Sequence, residues 1–272
     1  MTQSNRTTLL QALGAFAAAL LLIAPSALAA TPAPGYGQFA GCPSPEENST
    51  IEACVNSEVT GGNFKMGNKN VPITNPFTLS GGGTPTGEFV YNSKGGLSPA
   101  KQKVPGGIIG LTGLTWLVEF FGSEGLTLYA QTELAGKPNP LFDPAVLPIK
   151  VHLIHPVLGS KCYVGSNTNP IVLNLTTGTT SPPPPNQPIT GKEPTPFFDG
   201  ATGIFHLNDG VYVDNSFAAP GANGCTLTLF GFLPISINGL VNTQSGLPSP
   251  AGTNETKQNF NIELTGQDTV YP

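Results

Sequence analysis

Arginine is almost missing from this chain. Of the 11 Lys and Arg residues in 272, Arg6 is the single arginine. A planar guanidinium is the preferred clamp for phosphates and carboxylates, and the 16 acidic residues outnumber the cations to leave a net charge of −5. Nucleic-acid binding needs a basic surface that displaces counterions, and this balance excludes it. It also weighs against anionic substrates and anionic lipid surfaces. Lys65, Lys69, Lys94, Lys101 and Lys103 form the one mildly basic neighbourhood and read as solvated loop or edge-strand charges. Charge of either sign is scarce, at 10% of the chain against roughly 25% in ordinary globular domains. Asn, Thr, Ser and Gln must therefore cover the surface.

Chemistry-bearing patterns are scarce too. There are 3 histidines, His152, His155 and His206. The first two stand three apart, which on a strand points them to opposite faces, so they do not chelate one metal together. His206 and Asp209 flank one tight turn and read as turn chemistry. No His-Glu-x-x-His and no Cys-x-x-Cys occurs, which argues against zinc. Gly122-Ser123-Glu124-Gly125 is one residue short of a nucleophile elbow. The Gly-rich stretches lack the lysine and the strand–loop–helix setting of a phosphate loop. Asp199, Asp209 and Asp214 are the densest carboxylates and the only candidates for a calcium site, alongside their reading as turn residues. No catalytic, cofactor-binding or metal residue is assigned, and no cofactor is expected.

What is present begins with an address. Arg6 precedes an apolar run from Leu9 to Ala24, Pro25 ends it, and Ala27-Leu28-Ala29 follows. That is the layout of a secretory signal peptide, residues 1–29, with the mature chain starting at Ala30. Two other readings stand beside it. The run has the length of a membrane anchor, and Phe39-Ala40-Gly41-Cys42 resembles a degenerate lipidation box. Gly, Pro or charge interrupts every later apolar stretch, so no further membrane span is expected. Loss of Arg6 takes the net charge from −5 to about −6.

Cys42, Cys54, Cys162 and Cys225 are an even number in a chain expected to be exported, so disulfides are the default. Three connectivities are open. Pairing neighbours, Cys42–Cys54 and Cys162–Cys225, gives one short loop and one long loop. The long one restricts the unfolded chain more, on the order of 4 kcal/mol in the entropy model.

Period-two alternation recurs where helical periodicity does not. Leu126, Leu128, Ala130, Thr132 and Leu134 alternate with polar residues, as do Leu147, Ile149, Val151 and Leu153, then Ile171, Leu173 and Leu175, and finally Phe260, Ile262 and Leu264. Pro148 implies an edge position. Asn208-Asp209-Gly210 between Ile204–Leu207 and Val211–Val213 predicts a hairpin turn, with Thr226–Phe230 pairing in the same sheet. Leu114–Phe121 holds the single Trp, Trp116, and reads as core, a buried strand or a short helix; an exposed aromatic patch is the competing reading. Ser181–Asn186 carries four consecutive prolines, stiff and extended, and reads as a surface segment spanning 181–188. The expected organisation is a flexible lead-in over 30–41 and one β-rich domain over 42–272. The fold class is all-β: antiparallel, sandwich-like, loop-rich and stapled by disulfides.

Val71–Pro76, Leu147–Leu153 and above all Leu173–Asn186 give the chain a resemblance. It resembles a group of exported proteins from high-GC Gram-positive (actinobacterial) bacteria, over most of the mature chain and around all four cysteines. That group has no assigned activity. The resemblance implies a bacterial, secreted source, so the sequons at Asn48, Asn174 and Asn254 are not expected to carry glycans, and it transfers no catalytic residue. The functional expectation is a secreted or cell-envelope, non-catalytic protein with a structural, surface or binding role. A cell-wall or surface component is the expected kind of partner. The alternative is a secreted hydrolase that cleaves a neutral polymer such as a polysaccharide with scattered Asp and Glu residues.

Overall fold

Short apolar-polar alternations broken by Gly and Pro can only build strands, and strands dominate. The computed structural model describes residues 30–122, 124–229 and 233–272; the signal-peptide reading of 1–29 lies outside the described residues. Along the chain run β1 (Ala53–Met66), β2 (Lys69–Ile73), β3 (Phe77–Gly83), β4 (Phe89–Val90), β5 (Gly96–Leu97) and β6 (Lys101–Lys103). After the short helices α1 (Gly107–Thr112) and α2 (Leu117–Phe121) come β7 (Tyr129–Leu134), β8 (Ala145–Ile154), β9 (Tyr163–Val164) and β10 (Ile171–Leu175). The last part holds β11 (Thr195–Asp199), β12 (Ile204–Asp214), β13 (Ala222–Asn223), β14 (Thr226–Leu229), β15 (Leu233–Ser236), α3 (Asn238–Ser245), β16 (Glu255–Gly266) and α4 (Gln267–Val270). No helix among the described residues is long and apolar enough to cross a membrane.

Every strand pair is antiparallel. Sheet I has the order β11-β12-β16-β1-β3-β4, with β2 also on β1 and β5 on β3; sheet II has the order β13-β9-β8-β7-β6, with β10 on β8. β14 and β15 form a separate ribbon. The sheets face each other as a sandwich. Val55, Leu79, Phe89, Ile262 and Leu264 of sheet I pack with Leu134 and Leu147 of sheet II. Ile149, Val151, Leu153, Ile171 and Leu173 of sheet II form a larger cluster with Phe64, Met66 and Val71 of sheet I. The alternation read from the sequence is the reason: on β10, Ile171, Leu173 and Leu175 are buried while Val172 and Asn174 are exposed. Truncating one such residue to Ala costs about 2–5 kcal/mol.

The outer face of sheet I is covered as well. Cys54, one residue from the inward Val55, lies on that face with Phe39, Cys42, Ile51, Ile204 and Val270. The disulfide Cys42–Cys54 staples this cover to β1. Composition reads 30–41 as a flexible lead-in, yet its Phe39 is fully buried and Ala33 N donates to Val270 O at 2.9 Å. The second disulfide, Cys162–Cys225, closes a span of 63 residues and ties β9 to the β13–β14 region. The proline run lies on the surface, anchored by Asn186, whose Nδ2 donates to Asn215 O at 2.9 Å and Asn254 O at 2.7 Å.

Three local expectations fail for physical reasons. The Asn208-Asp209-Gly210 turn does not form; β12 runs straight through it. Leu207 faces Ile262 and Gly210 faces Phe260, so two residues of β12 oppose Asn261 alone. The positive-φ preference that suits a hairpin serves a β-bulge here, with Asp209 at φ 56° and its N–H donating to Asn261 Oδ1. Thr226–Leu229 pairs with β15 and not with that sheet. Pro148 lies inside a strand paired on both sides; the ladder to β7 ends at Leu134–Ile149, and Pro148 is tolerated where that ladder lapses. Of the two forms left open for the Trp116 stretch the structure has the short helix; it buries Leu117 as core and leaves Trp116 39% and Val118 42% exposed.

Candidate functional site: a cavity between the sheets

The two sheets do not close completely. Between them lies a cavity of about 80 Å³, walled by Phe64, Val71 and Phe77 from sheet I and Leu134, Leu147 and Leu173 from sheet II, among others. A smaller one of about 40 Å³ adjoins it and shares Phe77, Leu97, Leu147 and Gln258 as common wall. The larger is several times the roughly 10–15 Å³ that a single water needs, and an apolar lining keeps such a space dry. Together the two run as a slot along the sandwich. Leu134, Leu147, Phe64 and Met66 point inward yet are only partly buried, because no opposing side chain fills the slot.

One end of the larger cavity is closed by α1, α3 and the turn between β1 and β2. Leu111 comes from α1, Ser245 from the last turn of α3, and Leu247 follows it. Asn68 N donates to Ser245 O at 3.0 Å, which sets the start of β2 beside the end of α3. Gly67 makes that approach possible; its φ is 57°, and a Cβ there would collide with the Ser245 carbonyl. On the flank, a surface cleft of about 440 Å³ lined by Pro72, Thr74, Lys103 and Gly107 is separated from the cavity by Val104, a wall residue of both.

The polar wall residues divide by what they have left to offer. Gln102 is engaged by backbone at both ends of its amide: its Oε1 accepts from Thr74 N (2.9 Å) and Asn75 N (3.0 Å), and its Nε2 donates to Asn75 O. Gln258 Nε2 donates to Thr256 Oγ1. Lys69 is the only charged residue on the wall among the described residues. Its ammonium donates to Gly110 O at 2.6 Å, and an ammonium has three protons to give. Ser245 is 3% exposed and its hydroxyl has no hydrogen-bond partner among the described residues. The sequence reading missed both. It took Lys69 for a solvated charge, whereas contact with α1 holds it half-buried.

The residues singled out by sequence do not converge. His152 sits on the outer face of sheet II, 3.4 Å from Glu133 and stacked on Tyr163 at 4.4 Å. His155 is buried, its Nε2 2.8 Å from Gly125 O and its Nδ1 accepting from Val157 N. His206 faces Glu263 at 3.5 Å. Asp199 and Asp214 lie at opposite ends of the β11–β12 pair, roughly ten residues of 3.3 Å rise apart. Asp199 accepts from Ala201 N and Thr202 Oγ1, bonds that hold its carboxyl below the ordinary range. Asp214 accepts from Asn174 N and Ser216 N. Cys42 is in a disulfide, which excludes a lipid thioether on it.

Two carboxylates that no sequence pattern marked converge on one hydroxyl. Thr177 Oγ1 lies 2.8 Å from Asp143 Oδ2 and 2.6 Å from Glu193 Oε1, near the roughly 5 Å spacing of retaining glycosidases. Burial, and then these two charges, push the nearby Tyr212 phenol up to about 12. Both carboxylates are solvent-exposed and neither lines any of the three cavities. Comparison with family models, curated proteins and solved structures finds no match.

Proposed function

We propose that this chain is an exported, non-catalytic binding protein whose sandwich interior takes an apolar ligand. The observation that carries the reading is the dry slot between the sheets, lined by apolar side chains of which several, Phe64, Met66, Leu134 and Leu147 among them, stay only partly buried. Binding sites are commonly pockets of this composition, mostly apolar with a few placed polar groups. Two disulfides fit the exported setting, since such bonds persist in oxidising compartments. The hydrolase alternative has its best support in Asp143 and Glu193, but that pair lies on the open surface and borders no cavity that would hold a polymer.

The test uses the neutral dye N-phenyl-1-naphthylamine, whose emission rises in apolar surroundings. The protein from residue 30 onward is expected to enhance it saturably, with one site. Leu147→Trp fills the wall common to both cavities and is expected to abolish the enhancement; Ala130→Leu, a smaller intrusion, is expected to weaken it. Equal enhancement by the wild type and both folded variants would sink the reading.

A further inference from the structure

We infer that the slot takes a single-chain amphiphile with a carboxylate head, the class of a free fatty acid, held head-first at Lys69 and Ser245. The inference rests on the binding reading above and adds the chemistry and direction of the ligand. Three observations carry it. The two cavities adjoin and share Phe77, Leu97, Leu147 and Gln258 as wall, so an apolar tail that fills one can continue into the other. Among the described residues Lys69 is the only charged one on the wall, and its ammonium has donors remaining beyond its bond to Gly110 O. The buried Ser245 hydroxyl, on the same wall, has no partner among the described residues.

The backbone bond from Asn68 N to Ser245 O sets the start of β2, with Lys69, beside the end of α3, with Ser245, and both residues line the larger cavity. Both are donors, and a carboxylate accepts from both. An unpaired buried hydroxyl costs stability, so a site that leaves one unspent gains by meeting an acceptor. The tail then runs past Leu134 and Leu147 towards the second cavity, where Val55, Leu79 and Leu175 line the far wall. The negative balance of the whole chain does not oppose this. It disfavours anions at the surface, whereas Lys69 is the one charged residue that lines the slot among the described residues.

The experiment is isothermal titration calorimetry of the protein from residue 30 onward with dodecanoate, dodecan-1-ol and dodecyltrimethylammonium, each below its micelle concentration. Dodecanoate is expected to bind at one site and more tightly than the alcohol, with the cation weakest. Lys69→Met keeps the apolar stem and is expected to weaken dodecanoate roughly tenfold while leaving dodecanol unchanged. Ser245→Ala is expected to weaken dodecanoate several-fold without lowering the melting temperature of the ligand-free protein. Equal affinity for acid and alcohol, with both variants inert, would overturn the head-group assignment and leave the binding reading standing. Tighter binding of the cation would overturn it too. Failure of all three amphiphiles together with the neutral dye would overturn the binding reading itself.

Discussion

At the residue scale, position decides what a polar group can do. Gln102 and Ser245 both sit on the cavity wall and both are buried, yet the amide of the first bonds backbone through both its oxygen and its nitrogen and the hydroxyl of the second has no partner among the described residues. Asp214 illustrates the same point away from the cavity. Burial pushes its carboxyl above the ordinary 3.8, against two backbone N–H donors that favour the charged form. The folded chain therefore holds that proton more tightly than the unfolded chain. This contribution to stability is complete below the unfolded value and is lost as pH rises through the folded one. Asp214→Asn removes the titration. In urea melts, the stability of wild type relative to that variant is expected to increase as pH falls from neutral toward 3.8. A relative stability that falls over the same interval would mean that the two N–H donors outweigh burial.

At the element scale, the bulge in β12 is the instructive part. Asn208-Asp209-Gly210 offers the same backbone freedom to a hairpin and to a bulge, and no local signal separates them. The choice is made by β16, which supplies a continuous partner on both sides of the irregularity. Gly210 matters for a further reason: a Cβ there would overlap the Phe260 ring, which stacks on Tyr212 at 3.9 Å. Gly210→Ala is expected to destabilise by about 1–3 kcal/mol through overpacking, read as a lower urea midpoint with an unchanged slope. No change in midpoint would mean that the ring moves aside freely. Alternation made β8, β10 and β16 legible in the sequence, because each buries one face. Pro148 misled because the lapse in the β7 ladder opposite it is a tertiary fact. Lys69 misled because its neighbours in sequence are polar, and only the approach of α1 and α3 turns it to the cavity.

For the whole molecule, the fold class and the use of all four cysteines in disulfides were legible, from repeated alternation and an even cysteine count, while the choice among three pairings is a tertiary fact. The site was not, because a cavity is a mismatch between two sheets and no single strand records it. Its wall draws on β1, β2, β7, β8, β10 and α3 at once. The two disulfides hold the surrounding frame: Cys162–Cys225 ties the edge of sheet II to the segment leading into α3, and Cys42–Cys54 fastens the cover on the outer face of sheet I. The central claim is that an apolar chain lies inside this frame. Isotope-filtered NMR of the protein with dodecanoate tests it most directly. The account predicts contacts from the bound chain to the methyl groups of Leu134, Leu147 and Leu173. Contacts confined to exposed apolar residues such as Phe197 and Phe198, or none at all, would contradict it.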